Sequence, residues 1–226
     1  MQNELKQAAG YRAAEWIASG MTIGLGSGST ARYATLRIGQ RLGDGSLKDV
    51  VAVPTSEDTA SLARSVGIPL TTLDQVTSID VTVDGADEVD PQLNVIKGLG
   101  GALLREKIVA AATKREIIVV DQSKLSDRLG IKSPVPVEVI RFGWVQAQEA
   151  LHETGARIEM RMAGDSPFVT DEGNYILDCW YSGIDQPTDL AATMNAIPAV
   201  VENGLFLGMV SDVVVASESG VITMTR

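Results

Sequence analysis

Short β-branched runs alternate with stretches of helical periodicity from residue 4 to residue 121, and no other feature restricts the fold of this chain as strongly. Residues 4–19 read as a helix, 21–25 as a strand, 29–42 as a helix, 50–53 as a strand, 56–66 as a helix and 79–83 as a buried strand. Helical spacing returns at 102–110, and a further strand at 116–120 ends before Asp121. The strand 21–25, the tight turn Gly26-Ser27-Gly28 and the helix behind it predict the opening βα unit of a doubly wound sheet. Alternation of this kind predicts an α/β fold, a mostly parallel sheet covered on both faces. Ligands of such sheets bind beyond the carboxyl ends of the strands, where Asp84 and Asp87 are expected to sit.

The pattern changes at Ser133-Pro134-Val135-Pro136, where two prolines stop any helix and predict an interdomain crossing. Beyond it come a strand at 137–140, a helix at 144–154, a strand at 157–162, a hairpin turned at Asp171-Glu172-Gly173-Asn174, a strand at 175–179 and a helix at 188–194. This order predicts a split βαβ module that is inserted rather than appended, because 213–216 and 221–224 read as strands returning to the first sheet. The expected domains are therefore 1–131 with 205–226, and an inserted 132–204. A chain of 226 residues can bury a core of this size. Its net charge of −10 argues against nucleic acid or an anionic membrane as partner, so an anionic ligand must be held by local groups. Cys179 is the only cysteine, which excludes an intrachain disulfide and a cysteine-based zinc site. No apolar run approaches a membrane span, and Met1-Gln2-Asn3-Glu4 lacks a secretory n-region and h-region. The expectation is a soluble, cytoplasmic protein.

Gly26-x-Gly28-x-x-Ala31 satisfies a loose dinucleotide fingerprint, but Pro54-Thr55 stands where a ribose-binding acid should end the second strand. A Walker loop fails as well, since no lysine precedes Ser29-Thr30. Two readings remain: Ser29 or Thr30 merely caps the helix, or the glycine turn and helix N-terminus present amides and hydroxyls to a phosphate. The acidic cluster Asp84, Asp87, Glu88 and Asp90 can be a solvated loop, a cation site or a catalytic pair; Val89 excludes an EF-hand. Gly85 and the glycine-rich turn Lys97-Gly98-Leu99-Gly100-Gly101 imply close backbone approach to something small. Glu106, flanked by Arg105 and Lys107, reads either as a charged solvent face or as a carboxylate near that turn, and Lys124 follows another strand end. The solitary His152 is remote from these motifs and is expected to be structural or solvated.

Taken in order, Leu5-Lys6, Gly26-Ser27-Gly28-Ser29-Thr30, Asp84-Gly85-Ala86-Asp87, Lys97-Gly98-Leu99-Gly100-Gly101, Arg105-Glu106-Lys107 and Asp121-Gln122-Ser123-Lys124 resemble the type A ribose-5-phosphate isomerase family. The resemblance implies a Rossmann-like domain with an inserted ferredoxin-like one, a homodimer or homotetramer, and interconversion of ribose 5-phosphate and ribulose 5-phosphate in the non-oxidative branch of the pentose phosphate pathway or in the reductive pentose phosphate cycle. It implies that Ser27, Gly28, Ser29 and Thr30 with Lys124 and Lys6 hold the sugar phosphate. Asp84, Asp87 and Lys97, with the backbone of Gly85, Ala86, Gly98, Leu99 and Gly100, would meet the sugar, and Glu106 would be the base. Leu99 stands where that family usually has glycine; the expectation is a negative φ and a side chain turned into the apolar face of the following helix.

The chemistry agrees with these residue types. An enediol route moves a proton between two carbons flanking the carbonyl, so one carboxylate can remove and return it. Charge growing on the carbonyl oxygen is stabilised by a fixed ammonium or an acid hydrogen bond. If Asp84 and Asp87 lie close together, their repulsion lets one keep a proton and act as an acid. Neither metal nor nicotinamide is required. Two rivals use the same anion site: a non-catalytic sugar-phosphate sensor, and an amino-sugar-phosphate isomerase or deaminase, in which a histidine would be expected near the acids.

Overall fold

The computed structural model describes residues 2–226; Met1, which heads the segment lacking a secretory pattern, lies outside them. Tertiary contacts divide the described residues into two bodies, one comprising residues 2–86, 105–124 and 209–226, the other 87–104 and 125–208.

The first body is built on a six-stranded sheet in the order Gly220–Thr225, Asp212–Ser217, Thr113–Asp121, Ile79–Gly85, Thr22–Leu25, Val51–Pro54. All neighbours are parallel except the edge pair Asp212–Ser217 and Gly220–Thr225. Every second residue of four strands enters one core: Ile23 and Leu25, Val81 and Val83, Ile117 and Val119, Val214 and Ala216. They pack with Ala9 and Ala13 of the helix Gln2–Ala14 and with Ala34 and Ile38 of the helix Ala31–Gly43. A smaller cluster joins Val53 and Ile79 to Val109 of the helix Leu103–Ala111. The helix Glu57–Ser65 starts where its sequence says it should, with Ser56 extended and its hydroxyl accepting from the Thr59 amide at 3.1 Å. Because Thr22–Leu25 lies between Val51–Pro54 and Ile79–Gly85, the winding reverses at the pair Thr22–Leu25 and Ile79–Gly85. The carboxyl ends of that pair are the topological switch point, where open sheets bind ligands.

The second body contains a four-stranded antiparallel sheet in the order Val200–Asn203, Val135–Val139, Tyr175–Trp180, Arg157–Met160, with the helices Trp144–His152 and Pro187–Asn195 in the connections. The strand order 4-1-3-2 on a βαββαβ chain is ferredoxin-like. Val135, Val137, Val139, Leu177 and Cys179 share its core with Ala147, Leu151 and Met194. A three-stranded ribbon, Glu88–Val89, Val95–Ile96 and Leu205–Phe206, belongs to the same body.

Several expected boundaries move. The helix expected over 4–19 closes at Ala14, after which Glu15, Trp16 and Ile17 donate to carbonyls three residues back. The strand expected over 79–83 runs on to Gly85, so Asp84 lies inside it rather than past its end, paired with Ile118. Pro136 stands inside the strand Val135–Val139, not in a linker; its carbonyl accepts from the Gly204 amide at 2.7 Å, and its place next to the strand's start tolerates the missing donor. The strand expected over 157–162 stops at Met160, and Met162–Ala163 instead forms a hairpin with Ser166–Pro167, which like the strand Val200–Asn203 carries no expectation from the sequence.

Candidate active site

In the first body, each glycine of Gly24-Leu25-Gly26-Ser27-Gly28 has its own physical reason. A Cβ on Gly24 would lie 2.0 Å from Thr82 Oγ1, and one on Gly26 would lie 2.2 Å from the Asp84 carboxylate carbon. Gly28 needs none of that room but has φ +99. The turn is therefore laid directly on the neighbouring strand, and Asp84 Oδ1 accepts from the Ser27 amide at 3.0 Å and the Gly85 amide at 2.7 Å. Ser27 turns its hydroxyl into a bank of others, 2.8 Å from both Thr55 Oγ1 and Ser56 Oγ. Ser29 instead receives the Lys6 ammonium at 2.9 Å. Thr30 occupies the cap position of the helix Ala31–Gly43 but makes no capping side-chain hydrogen bond, which leaves the plain-cap reading of Thr30 without support. Lys124 ends the 3-10 turn Gln122–Lys124 that follows Thr113–Asp121, at the same carboxyl edge of the sheet as Gly26 and Asp84.

The four acids of the cluster do four different things. Asp84 is 1 % exposed and fixes the glycine turn. Asp90 closes the tight turn between Glu88–Val89 and Val95–Ile96, with Oδ1 accepting from the Gln92 and Asn94 amides at 2.9 and 2.8 Å. Glu88 is fully buried in the second body and accepts from the amides of Gly130, Ile131, Lys132 and Ser133 at 3.1–3.3 Å. Asp87 remains near the glycine-rich turn, its Oδ2 accepting from the Leu99 amide at 2.9 Å. Burial of Asp84, Glu88 and Asp90 removes the solvated-loop reading for these three. Among the described residues no group of three or more His, Cys, Asp or Glu side chains is placed to hold a metal ion.

Lys97 and Glu106 are also kept from water. Lys97 is 2 % exposed, follows the strand Val95–Ile96, donates its amide to Gly204 O at 3.0 Å and lays its ammonium 5.5 Å from the Phe206 ring centre. Glu106 is 5 % exposed in the first turn of Leu103–Ala111, where the helix dipole favours a carboxylate. The solvent-face reading of Glu106 is thereby set aside. Gly98 and Gly101 take positive φ and Leu99 does not, as expected for the one non-glycine in the turn. Its side chain, however, is 41 % exposed, so the expected burial in the helix face is not found; Leu103 and Pro136 fill the space over Gly98. His152 is exposed at the end of Trp144–His152.

The chain as a whole is similar to known proteins. The family model of ribose 5-phosphate isomerase A (phosphoriboisomerase A) matches residues 51–220. The ribose-5-phosphate isomerase A of Chloroflexus aurantiacus is 51% identical over 221 residues, covering 97% of this chain and 92% of that one. The chain belongs to the ribose 5-phosphate isomerase A family. A solved D-ribose-5-phosphate isomerase in complex with phospho-erythronic acid is similar over 100% of both chains, with a TM-score of 0.98 and 44% identity. Ribose 5-phosphate isomerase from Plasmodium falciparum is similar over 99% of each chain, with a TM-score of 0.97 and 40% identity. The isomerase A fold is thus the mixed α/β one described above, a mostly parallel sheet with a smaller antiparallel one.

Sequence reasoning missed two sets of polar groups around these motifs. Thr55, Ser56 and Thr59 form the hydroxyl bank behind Ser27, and the signal for them was the hydroxyl-rich run directly after the second strand. Arg161 and Asp178 form an ion pair beside the glycine-rich turn, and nothing local in the sequence announces it.

Proposed function

We infer that this chain interconverts ribose 5-phosphate and ribulose 5-phosphate through an enediolate, with the family membership as the observation that carries the reading. We assign Glu106 as the base that takes the proton from carbon 2 and returns it to carbon 1, supported by its burial in the first turn of a helix. Lys97, Asp84 and Asp87 are assigned to the sugar oxygens, where an ammonium kept from water and one of the two aspartates, donating as an acid, stabilise the charge that grows on the carbonyl oxygen. Asp84 and Asp87 are joined through Gly85-Ala86, so one short segment serves both. The phosphate is assigned to Ser27, Gly28, Ser29 and Thr30 with Lys6 and Lys124. Support comes from the helix N-terminus behind Thr30, the Lys6–Ser29 contact and the need of a chain of net charge −10 for a local cationic site. The sensor reading gives Glu106 no task, and the deaminase reading lacks its histidine, since His152 is the only one and is exposed.

The same proposal includes work in the cytoplasm, in the non-oxidative pentose phosphate branch or the reductive pentose phosphate cycle. Among the described residues no helix is long and apolar enough to cross a membrane. It includes a homodimer or homotetramer, supported by the exposed apolar Ile140, Phe142 and Val145. It keeps 1–131 with 205–226 and an inserted 132–204 as the domain division, supported by a four-stranded sheet drawn wholly from 135–203, although tertiary contacts group 87–104, 125–131 and 205–208 with that sheet.

The reading is tested by NMR of ribose 5-phosphate with the pure protein in D₂O. Ribulose 5-phosphate should form and deuterium should enter at carbon, at a rate unchanged by exhaustive EDTA treatment; absence of product overturns the activity, and a strict demand for added divalent metal overturns the mechanism. Ser29→Ala and Lys124→Ala should raise KM by about tenfold with kcat changed less, as expected for lost charge-assisted phosphate contacts. Unchanged KM in both variants would remove these residues from the phosphate site.

A further inference from the structure

The peptide group joining Gly98 to Leu99 is held at both of its polar atoms within the second body. Its N–H, on Leu99, donates to Asp87 Oδ2 at 2.9 Å. Its carbonyl, on Gly98, accepts from Arg161 Nη1 at 2.7 Å, and the same nitrogen reaches the Leu99 carbonyl at 3.1 Å. The guanidinium is held from behind by Asp178, with Nε donating to Oδ2 at 2.9 Å and Nη2 to Oδ1. Both side chains of this pair are largely withdrawn from water, at 13% and 15% exposure. Asp178 sits on Tyr175–Trp180, which is hydrogen-bonded to a strand on each side. The backbone of Arg161 is pinned as well, its N–H to Ile176 O at 2.9 Å and its carbonyl to the Phe168 amide at 2.8 Å.

A two-pronged arginine–carboxylate pair on a sheet interior is a rigid mount. The peptide it mounts follows a glycine of φ +102, which accepts either orientation of the group after it, and its carbonyl otherwise accepts the turn contact from the Gly101 amide at 2.9 Å. A flip of that peptide would exchange its N–H for its carbonyl, and the Asp87 carboxylate would then face a carbonyl oxygen in place of a donor. We propose that Arg161, fixed by Asp178, is a positioning residue that locks the Gly98–Leu99 peptide and so aims Asp87 at the substrate. This rests on the assignment of Asp87 to the sugar oxygens.

The experiment is a double-mutant cycle read by steady-state kinetics on ribose 5-phosphate, with melting temperatures measured in parallel. Arg161→Met should lower kcat by about tenfold or more, since small misplacements of a reacting group are costly, while KM stays within about threefold. Arg161→Lys keeps the charge beside Asp178 but has no fork, so it should fold and still lose several-fold in kcat. In the Asp87→Asn background both losses should shrink below about twofold, because the group being aimed is already gone. Equal losses in the two backgrounds, or a fall in melting temperature with kcat unchanged, overturn the proposal and leave Asp87 where it was placed. Asp87→Asn with wild-type kcat and KM is a different result: it overturns the assignment of Asp87 and the proposal with it.

Discussion

Replacing Glu106 by glutamine is expected to reduce kcat by about 10²-fold or more while KM for ribose 5-phosphate stays within a few-fold. The two side chains have nearly the same shape, so the first turn of Leu103–Ala111 keeps its packing and the change is confined to proton affinity. A carboxylate only 5 % exposed is shielded from competing water, which is what a group that must carry one proton between two adjacent carbons requires. Substrate binding draws on the phosphate and hydroxyl contacts assigned elsewhere, so the loss falls on the chemical step alone. Deuterium entry at carbon in D₂O should fall in parallel with turnover, because both pass through the same proton. A Glu106→Gln protein that keeps half its kcat would show that another group carries the proton.

How much of this was readable beforehand depended on the range over which each signal acts. The parallel sheet was legible because short continuous apolar runs such as Ile117-Ile118-Val119-Val120, buried at every residue, mark strands covered on both faces. The end of Ile79–Gly85 was not, because Asp84 breaks the apolar pattern while its backbone continues to pair with Ile118. The two-residue strands Glu88–Val89, Val95–Ile96 and Leu205–Phe206 are too short to show any period. The glycine motif pointed to the right turn, but the reason for Gly24 and Gly26 lies in Thr82 and Asp84 of a neighbouring strand, which only the fold brings near. Arg161 was silent for the same reason: its acceptors on Gly98 and Leu99 are more than 60 residues away in the chain.

Glu88 is the clearest case of a residue whose place was visible and whose task was not, and its removal should have the largest effect on stability. In sequence it is one of four acids in a short run, with nothing to separate it from Asp84 or Asp87. In the fold it is fully buried, and four successive amides, from Gly130 to Ser133, converge on its two oxygens. Those donors cannot all find water if the carboxylate is deleted, so Glu88→Ala costs the hydrogen bonds and leaves buried N–H groups unsatisfied as well. The expected loss is about 4 kcal/mol. For a chain of this length that corresponds to a fall in Tm of about 8–16 °C. Glu88→Gln preserves volume and one acceptor but turns an NH₂ toward the amides, and should cost about 2 kcal/mol. Thermal and urea melts of the two variants check the order, with an unchanged urea slope expected if only the native state has lost contacts. An alanine variant within 1 kcal/mol of wild type on the scale of a single hydrogen bond would mean that the 130–133 segment finds other acceptors. The carboxylate would then be a passenger in a turn that holds itself.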